Sequence, residues 1–143
     1  MIQYPLVFCT QASAHCGIGS TWKVRSSDYE VEVCVPTEFE GPGGVLSPED
    51  LFAQALTNCF MATFKVLAEK SGVTFDRIDV SGRLIVDRDE QKRPMMKSFH
   101  FVIGLNRPSD AAKASRLIEK AMQGGFILNS VKTTLSHEVV VTG

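Results

Sequence analysis

The sequence carries almost no net charge: 15 Lys and Arg residues against 16 Asp and Glu residues leave −1 at neutral pH. The basic surface that attracts phosphate backbones is therefore missing, and nucleic acid is not expected as a partner. Outside residues 47–67 there is no long apolar run without charges, and that stretch itself contains Glu49, Asp50 and Lys65. We therefore expect neither a transmembrane span nor a membrane partner.

Features of secreted and metal-binding proteins are also missing. The start, "MIQYPLVFCT", lacks the charged first region and long apolar core of a signal peptide, so a cytoplasmic, reducing location is expected. There the four cysteines, at positions 9, 16, 34 and 59, do not indicate a disulfide framework. No C-x2-C pair occurs and the three histidines are scattered, so no metal or other cofactor is expected.

What is present is an ordinary globular composition, 44% apolar and 22% charged, in a chain long enough for one domain over residues 1–143. Residues 20–25 and 29–35 predict a hairpin around "SSD". Alternating valines in its second strand place Cys34 on the polar face.

The second half of the chain predicts two strands, a helix and a last strand. The two strands cover residues 77–88 and 95–105 and are joined by the loop "DEQKRP". The helix covers residues 109–123 and ends at a glycine pair. The last strand is "LSHEVVVT". The order of elements predicts an α+β fold.

A long helix is predicted to begin in "SPEDLFAQALTNCFMATFKVL", residues 47–67. At the start, Ser47 suits the N-cap and Pro48 suits the first helical position, while Asp50 is placed to make the return contact of a capping box. Gly72 suits the end of the helix. Apolar residues surround the middle of this helix, which is typical of a central helix. One chain of this length is too small to cover it, so the pattern favours an oligomer.

Cys59 lies in the middle of that helix, with mostly apolar neighbours at helical spacing. A free cysteine in such a place is often simply packed, so a structural and a reactive interpretation both stand. Glu49 lies ten positions earlier, about 15 Å along the helix axis, so the two side chains do not touch within one helix. An antiparallel helix from a symmetric partner would bring them into one pocket.

The span "GPGGVLSPEDLFAQALTNCF" resembles the OsmC/Ohr family of osmotically induced and organic hydroperoxide resistance proteins. The matching positions are the glycine loop, Ser47-Pro48-Glu49, Leu51-Phe52 and Cys59-Phe60, and "GGFILNSVKTTLSHEV" resembles the C-terminal segment of the family. The resemblance implies an intertwined homodimer with long central helices flanked by antiparallel β-sheets, and active sites at the subunit interface.

The resemblance also implies thiol peroxidase chemistry on organic hydroperoxides. A thiolate attacks the peroxide and becomes a sulfenic acid, a second cysteine condenses with it, and a dithiol reductant resets the site. Two family residues are missing: Gly125 falls at the position of the second cysteine, and Ser20 falls near that of the arginine that pairs with the thiolate.

Replacements for both residues are conceivable in this sequence. Arg25 or Lys23, which share one strand face, are candidate partners of the thiolate, although exposed strand charges need no such role. Cys16 is a candidate resolving thiol, and His15 beside it is placed to lower its pKa, although a cysteine beside glycines in a loop needs no such role.

Three interpretations follow for the site. In the first, Cys59 and a partner's Glu49 reduce organic hydroperoxides in a pocket lined by Phe52, Leu56 and Phe60. In the second, the same pocket binds a small apolar or thiol-reactive ligand without catalysis. In the third, Cys59 only packs.

Overall fold

The computed structural model describes residues 2–143 and divides the chain into two compact units, Met1–Phe52 and Ala53–Gly143. The boundary falls in the second turn of α1, the helix Pro48–Ser71. A single domain over the whole chain therefore stays a prediction.

The N-terminal unit contains a three-stranded antiparallel sheet in the order β1-β2-β3. The predicted hairpin is confirmed as β2 (Trp22–Ser26) and β3 (Tyr29–Val33), which turn through Ser27 at a φ of 56°. The short strand β1 (Gln11–Ser13), which no sequence pattern indicated, pairs with β2.

The predicted exposure of Cys34 is wrong. Cys34 follows the last residue of β3, is 1% exposed, and its backbone N–H donates to the Leu46 carbonyl at 2.9 Å. Val31, one of the alternating valines, is also exposed, at 43%. The strand ends at Val33, which pairs with Trp22 in the antiparallel ladder and also forms a parallel bridge to Leu46, so the alternation no longer applies at Cys34.

The ends of α1 are as predicted. At the start, the Ser47 hydroxyl accepts from the Asp50 N–H at 3.1 Å, and an Asp50 carboxylate oxygen accepts from the Ser47 N–H at 2.9 Å. At the end, Gly72 adopts a φ of 68°, and Val73 N–H donates to the Ala68 carbonyl at 3.0 Å, the Schellman arrangement. Both caps satisfy backbone groups that a helix terminus otherwise leaves without partners.

Within the chain itself, α1 buries one ridge at four-residue spacing, formed by Leu56, Phe60, Phe64 and Ala68. Other apolar side chains remain partly exposed, with Val66 at 51%. By length and composition α1 is the one described helix capable of crossing a bilayer. The core helix of a soluble protein has the same length and composition. The buried ridge of α1 packs on the aromatic face of a sheet, where the Phe60 and Phe101 ring centroids are 5.9 Å apart.

That sheet belongs to the C-terminal unit and has the order β4-β5-β6. Its strands are β4 (Arg77–Arg88), β5 (Pro94–Asn106) and β6 (Thr134–Thr142), close to the predicted bounds. β4 and β5 form the predicted antiparallel hairpin, but β6 runs parallel to β5. The expectation of antiparallel sheets throughout is therefore corrected to one antiparallel and one mixed sheet.

The direction of β6 follows from α2 (Ala111–Gly124), which lies between β5 and β6 in the chain and carries it back across the sheet. Asp110 caps α2 by accepting from the Lys113 N–H at 3.0 Å. Its buried stripe consists of Ala114, Leu117, Ile118 and Ala121. Gly125 follows in an extended conformation, with φ −74° and ψ 137°, and a short 3-10 helix, Leu128–Ser130, comes next.

Candidate thiol site

Cys59 lies beside the buried ridge of α1 and is itself half-buried. Its helical neighbours Leu56 and Phe60 are fully buried, so the thiol marks the edge where the core of the unit meets the surface. One turn later, the Thr63 hydroxyl donates to the Cys59 carbonyl at 2.7 Å. This bond fixes the Thr63 side chain on the same helical face as the thiol.

The segment after α2 passes directly beside the Cys59 sulfur. A Cβ atom placed on Gly125 would lie 2.7 Å from Cys59 Sγ, and 3.4 Å from both Thr63 Oγ1 and Leu128 Cγ. The Asn129 N–H donates to the Gly125 carbonyl at 3.0 Å and holds the segment in a turn. Gly125 therefore lies against the thiol, and Thr63 and Leu128 border the same narrow space inside one unit.

Of these neighbours, Gly125 was identified by the resemblance of the C-terminal segment, and Thr63 follows Cys59 by one helical turn. Leu128 was missed, because no local pattern tells which residue of the tail faces α1. Of the predicted pocket residues, Leu56 and Phe60 are buried and Phe52 is half-buried. The Phe60 ring lies between those of Phe64 and Phe101, with centroid distances of 6.0 and 5.9 Å. Their role in lining a pocket stays a prediction.

Glu49 has an unusual environment at the start of α1. Its Oε1 atom is buried, and no donor among residues 2–143 reaches it. The neighbouring Asp50, by contrast, is fully engaged in the capping box. A buried acceptor without a partner costs about 1–3 kcal/mol, so this carboxyl group is poised to accept a donor that the chain itself does not supply.

Arg25 and Lys23 lie on one face of β2, as predicted. The Arg25 guanidinium contacts Glu30 Oε1 at 2.6 Å, and this hydrogen bond lowers the pKa of Glu30 below its ordinary value. Both cations line an open groove of about 250 Å³ on the β1-β2-β3 sheet. Arg25 thus has a carboxylate partner in its own unit, and pairing of either cation with a thiolate stays a prediction.

The remaining sequence candidates lie in the N-terminal unit. Cys16, His15 and Cys9 are exposed, and Ser20 donates its hydroxyl to the Gly17 carbonyl at 3.1 Å. The role of Cys16 as a resolving thiol stays a prediction. Across residues 2–143, the acidic, histidine and cysteine side chains form no group of three or more that is placed to hold a metal ion.

Comparison with known proteins gives one family. The model of the family described as OsmC-like protein matches residues 41–140, which include α1, the thiol, β5 and most of β6. An uncharacterized protein of Acinetobacter baylyi is 29% identical over 108 residues, which cover 72% of each chain.

Solved structures show the same fold. An OsmC-like protein of unknown function from Vibrio cholerae superposes with a TM-score of 0.84 at 14% identity, covering 95% of this chain and all of that one. An organic hydroperoxide resistance protein from Elizabethkingia anophelis, with thiocyanate bound, gives a TM-score of 0.76 at 19% identity, covering 99% of each chain.

Proposed function

The chain belongs to the OsmC-like protein family, and on that premise we propose that it reduces organic hydroperoxides with the Cys59 thiol. The observation that carries the proposal is the half-buried position of Cys59. A cysteine that only fills space is typically fully buried, as Cys34 is at 1% exposure. Cys59 instead lies at the edge of the core and is only half-buried by the chain's own residues.

The chemistry needs a thiolate and a peroxide in line with it. The Cys59 thiolate attacks the distal oxygen, the O–O bond breaks, and the alkoxide takes a proton and leaves as the alcohol. The products are Cys59 sulfenic acid and one alcohol. Apolar residues beside the thiol, among them Leu128 and Phe60, favour hydroperoxides with a hydrocarbon substituent over hydrogen peroxide.

The proposal includes a homodimer and a cytoplasmic location. The partly exposed apolar surface of α1 needs a cover, and a second copy of α1 running in the opposite direction provides one. That arrangement also brings the partner subunit's Glu49 toward Cys59, and the lack of a donor for the buried Glu49 Oε1 atom among residues 2–143 supports it. A reducing cytoplasm keeps the thiol free between turnovers.

The test is a single-turnover reaction. Reduced protein receives one equivalent of cumene hydroperoxide with dimedone as a sulfenic acid trap, and mass spectrometry maps the adduct over all four cysteines. We expect dimedone on Cys59 and cumyl alcohol in solution, with buried Cys34 as the internal control that stays unmodified. An unmodified Cys59 with peroxide left in solution would contradict the proposal and favour the non-catalytic family member that binds a small apolar ligand.

A further inference from the structure

We propose that the open groove on the β1-β2-β3 sheet binds a small monocarboxylate, with the ligand carboxylate at the Lys23 ammonium. The groove has a volume of about 250 Å³ and is lined by residues of all three strands. This ligand site goes beyond the proposed function, because all of its residues belong to the N-terminal unit, whereas Cys59 belongs to the C-terminal unit.

The register of the strands collects polar side chains along this groove. Gln11 of β1 is the register partner of Arg25 of β2, and Ser13 is the partner of Lys23 in the same way. Residues two apart in a strand, and register partners across strands, point to the same side of a sheet, so these four side chains share one face. An amide and a hydroxyl group therefore lie beside two cations, and both are able to donate hydrogen bonds to an anion.

The Lys23 ammonium has no ion-pair partner among residues 2–143. Glu32 is its register partner on β3, but the Glu32 carboxylate instead accepts from the Thr21 hydroxyl at 2.5 Å. The other carboxylate of β3, that of Glu30, is bound by Arg25 at 2.6 Å. The Arg25 hydrogen bond is also the largest cause that lowers the pKa of Glu30, and the Lys23 charge is the smallest. Lys23 is thus a cation whose neighbouring carboxylates are engaged by other side chains.

Charge balance selects the class of ligand. Lys23 and Arg25 bring two positive charges to the groove and Glu30 brings one negative charge, which leaves one positive charge without a counterion. A monocarboxylate restores neutrality, whereas a doubly charged phosphate group would make the groove negative. Hydrogen bonds from an ammonium to a carboxylate are charge-assisted and stronger than neutral ones. The volume lies below the usual range of ligand pockets, which limits the ligand to a small aromatic or short aliphatic acid.

Glu30 competes with the ligand for the cations of the groove. Its Oε1 atom occupies one of the N–H donors of Arg25, which has five. Removal of the Glu30 charge should therefore strengthen binding, because Arg25 is then free to turn toward the ligand. Glu32 lies on the same strand and carries the same charge, but it does not line the groove. E32Q is therefore the matched control for E30Q.

The experiment is an NMR titration of the full-length protein at neutral pH and constant ionic strength. Sodium benzoate is the probe, benzyl alcohol is the uncharged control with the same ring, and inorganic phosphate is the alternative anion. We expect benzoate to shift the backbone amide signals of Ser13, Lys23 and Arg25 with millimolar affinity. Benzyl alcohol should leave these signals unchanged, and phosphate should bind at least about threefold more weakly than benzoate.

K23Q is the decisive variant, and K97Q is its matched control, since Lys97 is an exposed lysine of a strand that does not line the groove. K23Q should weaken benzoate binding about three- to fivefold, as expected for the loss of one exposed charge contact, and K97Q should leave it unchanged. E30Q should strengthen benzoate binding about twofold, whereas E32Q should not.

Four results would overturn the inference. Equal weakening in K23Q and K97Q would show that net charge alone attracts benzoate, and equal affinities of E30Q and E32Q would show that Glu30 does not compete. Phosphate that binds as tightly as benzoate would show that the ligand class is wrong. Benzoate shifts that lie only outside the groove, in the unmodified protein, would place the ligand elsewhere even where a variant fails to fold. Peroxide reduction enters none of these measurements, so failure of the proposed function leaves them unaffected.

Discussion

The Phe99 ring lies against the backbone of Gly82, so closely that a Cβ on Gly82 would lie 2.0 Å from Phe99 Cζ. Phe99 is 1% exposed and contacts Phe101 edge to face at a centroid distance of 4.7 Å. The ring has no room to retreat, because the core of the C-terminal unit lies behind it.

This contact makes G82A strongly destabilising. The added methyl group must displace a buried ring, which typically costs about 1–3 kcal/mol. The matched control is G104A on the neighbouring strand, where an added Cβ meets nothing closer than the Asp79 carbonyl at 3.9 Å. Urea unfolding of both variants should show a lower midpoint for G82A and little change for G104A. Equal midpoints would contradict the tight contact.

The start of α1 gives a second prediction. S47A removes the side-chain acceptor for the Asp50 N–H and one donor to the Asp50 carboxylate, so it should cost about 1 kcal/mol of unfolding free energy. S71A at the other end of α1 is the control, because it keeps the backbone oxygen that the Lys113 ammonium binds at 2.7 Å.

A double-mutant cycle of S47A with D50A then separates the reciprocal bond from independent effects. We expect the two losses to be less than additive, since each substitution removes the same pair of contacts. Strict additivity would show that the two side chains stabilise the helix separately.

The shared site of the proposed dimer predicts complementation between two inactive variants. E49Q lacks the carboxylate and C59S lacks the thiol, so each homodimer should lose at least about tenfold in peroxide reduction. Mixed subunits restore one complete site per heterodimer, because Cys59 of the first faces the partner's Glu49. Peroxide reduction should therefore reappear when the two variants are mixed under conditions in which subunits exchange. Its upper limit is the activity of one complete site in each heterodimer.

The control for complementation is a mixture of C59S with the unmodified protein, which only dilutes complete sites. If E49Q and C59S mixtures stay as inactive as either parent while mass spectrometry confirms heterodimers, Glu49 does not act across the interface. Light scattering that finds a monomer would remove the dimer from the proposal altogether.

The exposed pair of Arg25 and Glu30 gives a prediction for pH. The Arg25 hydrogen bond is the largest cause that holds the pKa of Glu30 below 4.5, and Lys23 contributes least. A lowered carboxyl pKa stabilises the fold above the unfolded-state pKa, and this contribution is lost as pH falls through the folded-state pKa. NMR titration should therefore find a higher Glu30 pKa in R25Q than in the unmodified protein, and a smaller rise of the Glu30 pKa in K23Q. An unchanged Glu30 pKa in R25Q would show that the ion pair does not persist in solution.

Local chemistry explains which elements the sequence alone predicts. The caps of α1 depend on Ser47, Asp50 and Gly72, residues whose preferences operate within a few positions, so the bounds of the helix are readable. The antiparallel pairing of β4 and β5 follows from two apolar alternations and a short polar loop. Each of these features is decided by neighbours in sequence.

Distant contacts decide the features that sequence did not predict. The burial of Cys34 depends on a bridge to Leu46 across the glycine loop, and the direction of β6 depends on the path of α2. The approach of Leu128 to the thiol depends on where the tail crosses α1. For the site, sequence identified Cys59 and Gly125 through a family pattern, while their contact is a property of the folded unit.

The parallel pairing of β6 with β5 has a consequence for synthesis. Ser98 of β5 pairs with Thr134 of β6. After Ser98 is translated, 36 further residues must therefore be added before its pairing partner exists. During that interval β5, which carries the core residues Phe99, Phe101, Ile103 and Leu105, has a free edge, and such edges recruit other chains. The time of greatest aggregation risk therefore falls between the emergence of β5 and that of Thr134–Thr142, and slower translation of this region should increase the demand for chaperones.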